Sequence, residues 1–291
     1  MSLDAQVLTD WFAEKARDLP WRKPDCSAWG VLVSEIMLQQ TPVARVEPSW
    51  HDWLARWPTP SALAAATPAD VLRAWGKLGY PRRALRLRDA AAVIAAEHDD
   101  VVPSDVDTLL ALPGIGAYTA RAVAAFAYRK RCPVVDTNVR RVIARAMHGA
   151  GDSGPASNTR DMADAEQLLP ADDELAAQMS AALMELGATV CTARNPRCAD
   201  CPVFASCAWQ QAGKPAYNGP AKPVQKFAGT DRQVRGLLLD VLRDTSIPVT
   251  KAKLDLVWSD AGQRDRCLDS LLVDGLVEQT KDGMFALPGE H

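Results

Sequence analysis

LLALPGIGAYTARAVAAFAYRKRCPVVDTN, residues 109–138, joins a glycine turn to a helix and that helix to a lone carboxylate. Leu112-Pro113-Gly114-Ile115-Gly116 puts two glycines where backbone can approach a ligand with no Cβ in the way, and the run from Ala117 forms helix readily. Amides at such a turn point at an anion. The turn has neither a Walker lysine nor the third glycine of a dinucleotide fold, and an apolar helical run precedes it in place of a strand. The stretch therefore reads as helix, hairpin, helix. Residues 116–146 hold seven basic residues and one acid, Asp136. Asp136-Thr137-Asn138 is also a good helix cap ahead of Val139, and locally capping is the leading reading of that aspartate.

A chain of 291 residues can bury a large core, and the length suggests two domains. With 48% hydrophobic and 24% charged residues, the composition is that of an ordinary soluble globular protein. MSLDAQVLTDWF carries neither a basic n-region nor an apolar h-region, and no apolar run reaches membrane-span length, so a cytoplasmic protein is expected. The net charge of -3 does not announce a nucleic-acid binder, but the charges are segregated. Residues 71–88 hold six basic residues and no acid, whereas 161–174 hold six acids and no base. Two basic blocks framing one hairpin suit a phosphate backbone.

Residues 4–17 read as an amphipathic helix that ends before Leu19-Pro20-Trp21-Arg22. Trp21 there is either a core aromatic or, with Arg22, a partner for a base. Ala28 to Gln40 is apolar on nearly every side around Ser34 and Glu35, which predicts a buried helix. A carboxyl in that setting has a raised pKa and is usable as a general acid, unless an arginine pairs with it. Helical stretches near 61–66, 69–76, 82–97 and 105–111, without period-2 runs, predict an all-α domain. Two more helices are expected at 161–169 and 175–188, the second ending at Gly187. Glu185 near that end opposes the helix dipole, a local cost that hints at a partner or a task.

Cys191-x6-Cys198-x2-Cys201-x5-Cys207 can close on one metal centre. Only the middle pair has CxxC spacing, which favours a 4Fe-4S cluster and leaves zinc as the alternative. Cys26, Cys132 and Cys267 read as structural thiols. Arg194 and Arg197 project basic charge from the cysteine loop. Residues 211–229 read as a linker. Helices at 231–244, 250–259 and 262–274, then an alternating hairpin around Asp282-Gly283, make a winged-helix pattern, expected to be a packing module or a weak DNA contact.

Leu-Pro-Trp-Arg at 19–22, Ser-Glu-Ile-Met-Leu-Gln-Gln-Thr at 34–41, Leu-Pro-Gly-Ile-Gly at 112–116, Val-Asp-Thr-Asn at 135–138 and the cysteine spacing stand in order along the chain. Together they resemble the helix-hairpin-helix (HhH-GPD) DNA glycosylase superfamily, most closely its adenine DNA glycosylases of the MutY type. The resemblance implies a mainly α, bilobal fold with a glycosylase core at 1–210: a six-helix barrel at about 25–130, and a 4Fe-4S cluster domain from 1–24 and 131–210. The linker at 211–229 and a winged-helix-like C-terminal domain at 230–291 follow it.

It also implies a monofunctional hydrolase in base excision repair, acting as a monomer on double-stranded DNA in which adenine faces 8-oxoguanine or guanine, with no membrane partner and nucleoid association when acting. The adenine leaves the base stack for the active site. Glu35 is similar to the family's general acid and Asp136 to its oxocarbenium-stabilising carboxylate, with Tyr118 and Asn138 in support. Trp21, Arg22, Leu38, Gln40, Thr41, Tyr80 and Glu185 are similar to residues that meet the substrate, Gln40 as the wedge in the duplex. Gly114, Gly116, Arg82, Arg83 and Arg194 would meet DNA phosphates, with a monovalent or divalent cation at the hairpin, and Cys191, Cys198, Cys201 and Cys207 would hold the cluster. Endonuclease III-like relatives carry a lysine where this chain has Tyr118, which predicts that no strand cleavage accompanies base release.

Two departures stand out. The family's second tyrosine after Leu-Gly is here Pro81, and 230–291 is too short and too helical for the Nudix-like domain that checks for 8-oxoguanine. A mismatch glycosylase for thymine, uracil or damaged pyrimidines and a non-catalytic iron-sulfur redox sensor are the alternative readings. A pyrimidine offers no N7 for Glu35, and a sensor leaves the paired acids unexplained.

Overall fold

The computed structural model describes residues 3–220 and 227–290. Residues 221–226 of the expected linker lie outside the described residues. The chain runs through α1 (Ala5–Lys15), α2 (Ala28–Leu38), α3 (Val43–Arg56), α4 (Pro60–Ala64) and α5 (Pro68–Trp75). Then come α6 (Arg82–Glu97), α7 (Val106–Ala111), α8 (Ala117–Tyr128), α9 (Thr137–Ala146), α10 (Asn158–Leu168), α11 (Asp173–Thr189) and α12 (Ala208–Gln211). The C-terminal segment holds α13 (Asp231–Arg243), α14 (Lys251–Asp255), α15 (Ala261–Val273), β1 (Glu278–Gln279) and β2 (Phe285–Ala286). The mainly α expectation holds.

Local chemistry sets many of the boundaries. The Asp4 carboxylate accepts from the amides of Gln6 and Val7 to start α1. α4 and α5 each begin Thr-Pro, with Thr59 and Thr67 side chains accepting from the amides of Ala62 and Asp70 and proline at the first helical position. Sequence reading did not place α3, which contains Pro48. A proline inside a helix removes one hydrogen bond, and here the buried Val46, Trp50 and Trp53 outweigh that loss. Trp53 packs edge-on against Trp57 and Trp75 at 4.7 and 5.6 Å between ring centroids.

α11 continues two residues past the expected stop at Gly187. That glycine is there for a close approach instead: a Cβ on it would lie 2.7 Å from Asn138 Cβ and 2.8 Å from the Asn138 carbonyl oxygen. α9 and α11 can touch only because residue 187 has no side chain.

The chain forms two compact units. One comprises residues 1–32, 104–111 and 115–222. Its main core gathers Leu8 of α1, Val139, Val142 and Ile143 of α9, and Met179, Leu183 and Leu186 of α11. The other comprises 33–103, 112–114 and 223–291. Within it, Ala69 and Leu72 of α5 share a core with Val234, Leu238, Leu242, Leu268, Leu271 and Phe285. The C-terminal segment thus packs on α5. Its two strands pair antiparallel, Glu278 opposite Ala286, and Val249 bridges to Phe285, so three helices and a hairpin follow the order read from sequence. Among the described residues, no helix is long and apolar enough to cross a membrane.

Candidate active site

Asp136 is the N-cap of α9. Its Oδ1 accepts from the amides of Asn138 and Val139 at 2.8 and 2.7 Å, and its Oδ2 accepts from the Asn138 side chain at 2.7 Å. Asn138 Oδ1 in turn accepts from Arg141 at 2.8 Å, and Arg141 also donates to the carbonyls of Gly187 and Cys191. Burial pushes the Asp136 carboxyl up, while the Val139 and Asn138 donors and the Arg141 charge pull the other way. The balance stays above the ordinary aspartate value. Capping is therefore real here, and the geometry that caps also orients the carboxylate.

Glu35 sits in α2, 6% exposed, between the buried Ser34 and Ile36. The buried setting expected of it is present. Tyr118, in the first turn of α8, is half-buried against a cluster of Ala122, Ala125, Cys132 and Val134. Gly114 and Gly116 are both exposed. Gly114 has φ +73°, and a Cβ there would meet Arg86 Cβ at 2.7 Å, while Gly116 is the extended N-cap of α8. The missing side chain at Gly114 thus admits Arg86, whereas Gly116 faces open space at the hairpin.

Trp21 is buried and Glu185 is fully buried. Arg17 holds Glu185 through Nε at 2.7 Å and Nη2 at 2.8 Å, and Arg22 adds a contact at 2.9 Å. Burial pushes this carboxyl up, but the hydrogen bonds and charges of Arg17 and Arg22 outweigh it and hold Glu185 below the ordinary glutamate value. The partner hinted at by its place in the helix is this arginine pair.

At the end of α2, Gln40 is exposed with φ +58°, Leu38 is half-buried, and the buried Thr41 hydroxyl donates to the Leu78 carbonyl at 3.1 Å. Arg83 departs from its expected phosphate contact. It donates to the carbonyls of Ile36, Gln39 and Gly79 and to Thr41 Oγ1, at 2.7, 2.6, 3.0 and 3.1 Å. Burial pushes its guanidinium down to about 10. Arg83 thus staples the turn after α2. Arg82 pairs with Asp274 at 2.9 Å, Arg131 with Glu166 and Arg140 with Asp161. The basic blocks are less free for DNA than their sequence suggests, whereas Arg194 is exposed on the cysteine loop.

Cys191, Cys198, Cys201 and Cys207 line one cavity with Arg145, Val190, Phe204, Trp209 and Gln210, and no cysteine forms a disulfide. Arg145 lies 4.7 Å from the Trp209 ring centroid and donates to Cys191 Sγ at 3.4 Å. Burial, and then the charges of Cys191, Cys207 and Cys198, push the Cys201 thiol up to about 11. Thiolates crowded this way call for a cation to replace their protons. Among the described residues, no group of three or more His, Cys, Asp or Glu is arranged to hold a metal ion. Four soft sulfur donors spread around a shared cavity fit a multi-iron cluster instead. Sequence reading missed the inward roles of Arg141 and Arg145, for which their i, i+4 spacing on one helix face was the available signal. Nothing in the sequence marked Arg17.

Residues 33–165 match the HhH-GPD superfamily base excision DNA repair proteins, and residues 191–207 match the iron-sulfur binding domain of endonuclease III. Among solved structures, a thermostable thymine-DNA glycosylase superposes with a TM-score of 0.64 at 25% identity, over 72% of this chain and 95% of that one. Fold and cysteine loop together define a base excision repair glycosylase with an iron-sulfur cluster. The adenine DNA glycosylase of Mycolicibacterium smegmatis is 67% identical over 291 residues, 100% of this chain and 98% of that protein. That of Mycobacterium tuberculosis is 63% identical over 284 residues, 97% of this chain and 93% of that protein. The chain belongs to the adenine DNA glycosylase family. It is a DNA glycosylase of base excision repair and carries a 4Fe-4S cluster.

Proposed function

We propose that the chain hydrolyses the N-glycosidic bond of adenine mispaired with 8-oxoguanine or guanine in double-stranded DNA, as a monomer and without cutting the strand. The observation that carries this reading is that Glu35 is buried in an apolar helix and that Asp136 is fixed at a helix start by three hydrogen-bond donors. Burial suits an acid that holds its proton until it is delivered, and the three donors fix the Asp136 carboxyl in one orientation although burial leaves its pKa above the ordinary value. Glu35 delivers a proton to N7 of adenine, Asp136 stabilises the cationic sugar left behind, and water completes the hydrolysis. Asn138 and Tyr118 support the acids. Trp21, Arg22, Leu38, Gln40, Thr41 and Tyr80 serve the substrate, with Glu185 acting through its grip on Arg22.

The backbone at the exposed Gly114 and Gly116 holds a DNA phosphate, aided by a cation at the hairpin and by Arg194. Cys191, Cys198, Cys201 and Cys207 hold the cluster, which supplies a cross-link for their loop and, when bound, an electron-transfer centre. The chain acts in the cytoplasm, at the nucleoid. The unit bearing the cysteines is the cluster-bearing lobe, and the other supplies Glu35.

Single-turnover base release from duplexes carrying adenine opposite 8-oxoguanine, adenine opposite guanine, thymine opposite guanine and uracil opposite guanine, alongside iron quantitation, tests the proposal. Release confined to the two adenine duplexes, with the strand left intact, is expected. Thymine or uracil release, or strand cleavage at the rate of base release, overturns it.

A further inference from the structure

Tyr80 is 43% exposed and has φ +47°, a left-handed backbone conformation that bulky residues avoid. A residue keeps such a conformation only where its surroundings impose it. Two guanidinium groups hold it here. Arg83, itself fixed on the carbonyls at the end of α2, lies 5.7 Å from the Tyr80 ring centroid. Arg232, at the start of α13, donates to the Tyr80 hydroxyl at 3.0 Å. The Arg232 guanidinium lies 5.3 Å from the ring centroid of Phe227.

Arg232 reaches Tyr80 from the C-terminal segment, which is tied along the basic run 71–88. Arg73 pairs with Glu290, Lys77 with Asp240 at 3.4 Å and Arg82 with Asp274, while Arg243 donates to the Leu72 carbonyl at 3.1 Å. The segment brings acids to those bases and an arginine to the exposed aromatic beside them.

An exposed ring with one face against the Arg83 guanidinium and its hydroxyl held by Arg232 is preorganised for stacking on a nucleobase through its other face. We propose that Arg232 is a positioning residue that fixes the Tyr80 ring for stacking on a base of the DNA, so that the C-terminal segment aids substrate binding through the protein rather than by touching the duplex. This rests on the reading of Tyr80 as a DNA-contacting residue, and the test separates the two.

The full-length, cluster-loaded protein and its variants, matched for iron content and Tm, are titrated with a duplex in which a hydrolysis-resistant 2′-fluoroadenosine faces 8-oxoguanine. Tyr80→Ala raises Kd about tenfold, as loss of a stacking aromatic does. Arg232→Ala and Tyr80→Phe, which delete the same hydrogen bond from opposite ends, each raise Kd about threefold, and the double variant is no weaker than either single one. Arg232→Lys restores part of the loss, and the effect falls on Kd rather than on the single-turnover excision rate at saturating enzyme. If Tyr80→Ala weakens binding while Arg232→Ala and Tyr80→Phe do not, the role of Arg232 is overturned and the reading of Tyr80 stands. If Arg232→Ala and Tyr80→Phe add, Arg232 touches DNA itself and positioning is overturned. If Tyr80→Ala leaves Kd unchanged, both fall.

Discussion

The side-chain amide of Asn138 donates to Oδ2 of Asp136 at 2.7 Å while its carbonyl oxygen accepts from Arg141 at 2.8 Å. The carboxylate is thus oriented by a residue that is itself oriented. Asn138→Ala removes that hold but leaves both backbone amides on Oδ1, so α9 stays capped. Single-turnover adenine release is expected to fall about tenfold, with helix content and iron unchanged, because a supporting contact is lost rather than the reacting group. An unaltered rate would mean that Asp136 needs no such orientation.

The pH dependence follows from burial at Asp136, which leaves its folded pKa above the ordinary value of 3.8. The folded state therefore holds the Asp136 proton more tightly than the unfolded chain. Its contribution to stability is fully present below the unfolded value and is lost as pH rises through the raised folded value. Activity has the opposite sense, because the anion is the working form: release falls as pH drops through that raised value. Asn138→Ala deletes one donor to the anion, so the acid limb of its rate profile should move to higher pH, measured by single-turnover rates across a pH series.

Gly187→Ala would drive a methyl to 2.7 Å from Asn138 Cβ and 2.8 Å from its carbonyl oxygen, and neither atom can swing aside. Overpacking of this kind costs about 1–3 kcal/mol. Thermal unfolding should show a lower Tm, and adenine release should fall with it because the displaced residue is Asn138. A substitution that left both unchanged would show that α9 and α11 have slack here.

Glu185→Gln leaves Arg17 and Arg22 without their anion. Removing one partner of a buried ion pair costs about 3–5 kcal/mol, and the half-exposed Arg17 places this case at the lower end. Because the folded pKa of Glu185 is held below 4.5, its stabilisation is present above that value and lost as pH falls through the lowered one. Denaturant unfolding at neutral pH should separate the variant from the parent, and the gap should close in acid.

Much of the architecture was legible from local chemistry. The Leu112–Gly116 turn lies between α7 and α8, Asp136 begins α9 as a cap, and Asp282-Gly283 lies in the turn between β1 and β2. What sequence did not yield depends on partners far along the chain. Pro48 argues against α3 until three buried side chains are seen to hold it, and Gly187 looks like a stop until Asn138 is seen against it. The basic runs looked like a phosphate footprint. Arg83 and Arg141 are instead turned onto protein carbonyls, and Arg82 onto Asp274, contacts that no local window contains.

The proton donor is the centre of the account, and Glu35→Gln tests it with a change of one atom type. The measurement is single-turnover adenine release from a duplex with adenine opposite 8-oxoguanine, beside Kd for the same duplex. Release should fall by about three orders of magnitude or more with Kd within about threefold of the parent, the pattern of a group that acts in the transition state alone. Release within about tenfold of the parent at matched affinity would remove Glu35 from the chemistry, and with it the proposed division of labour between the two acids.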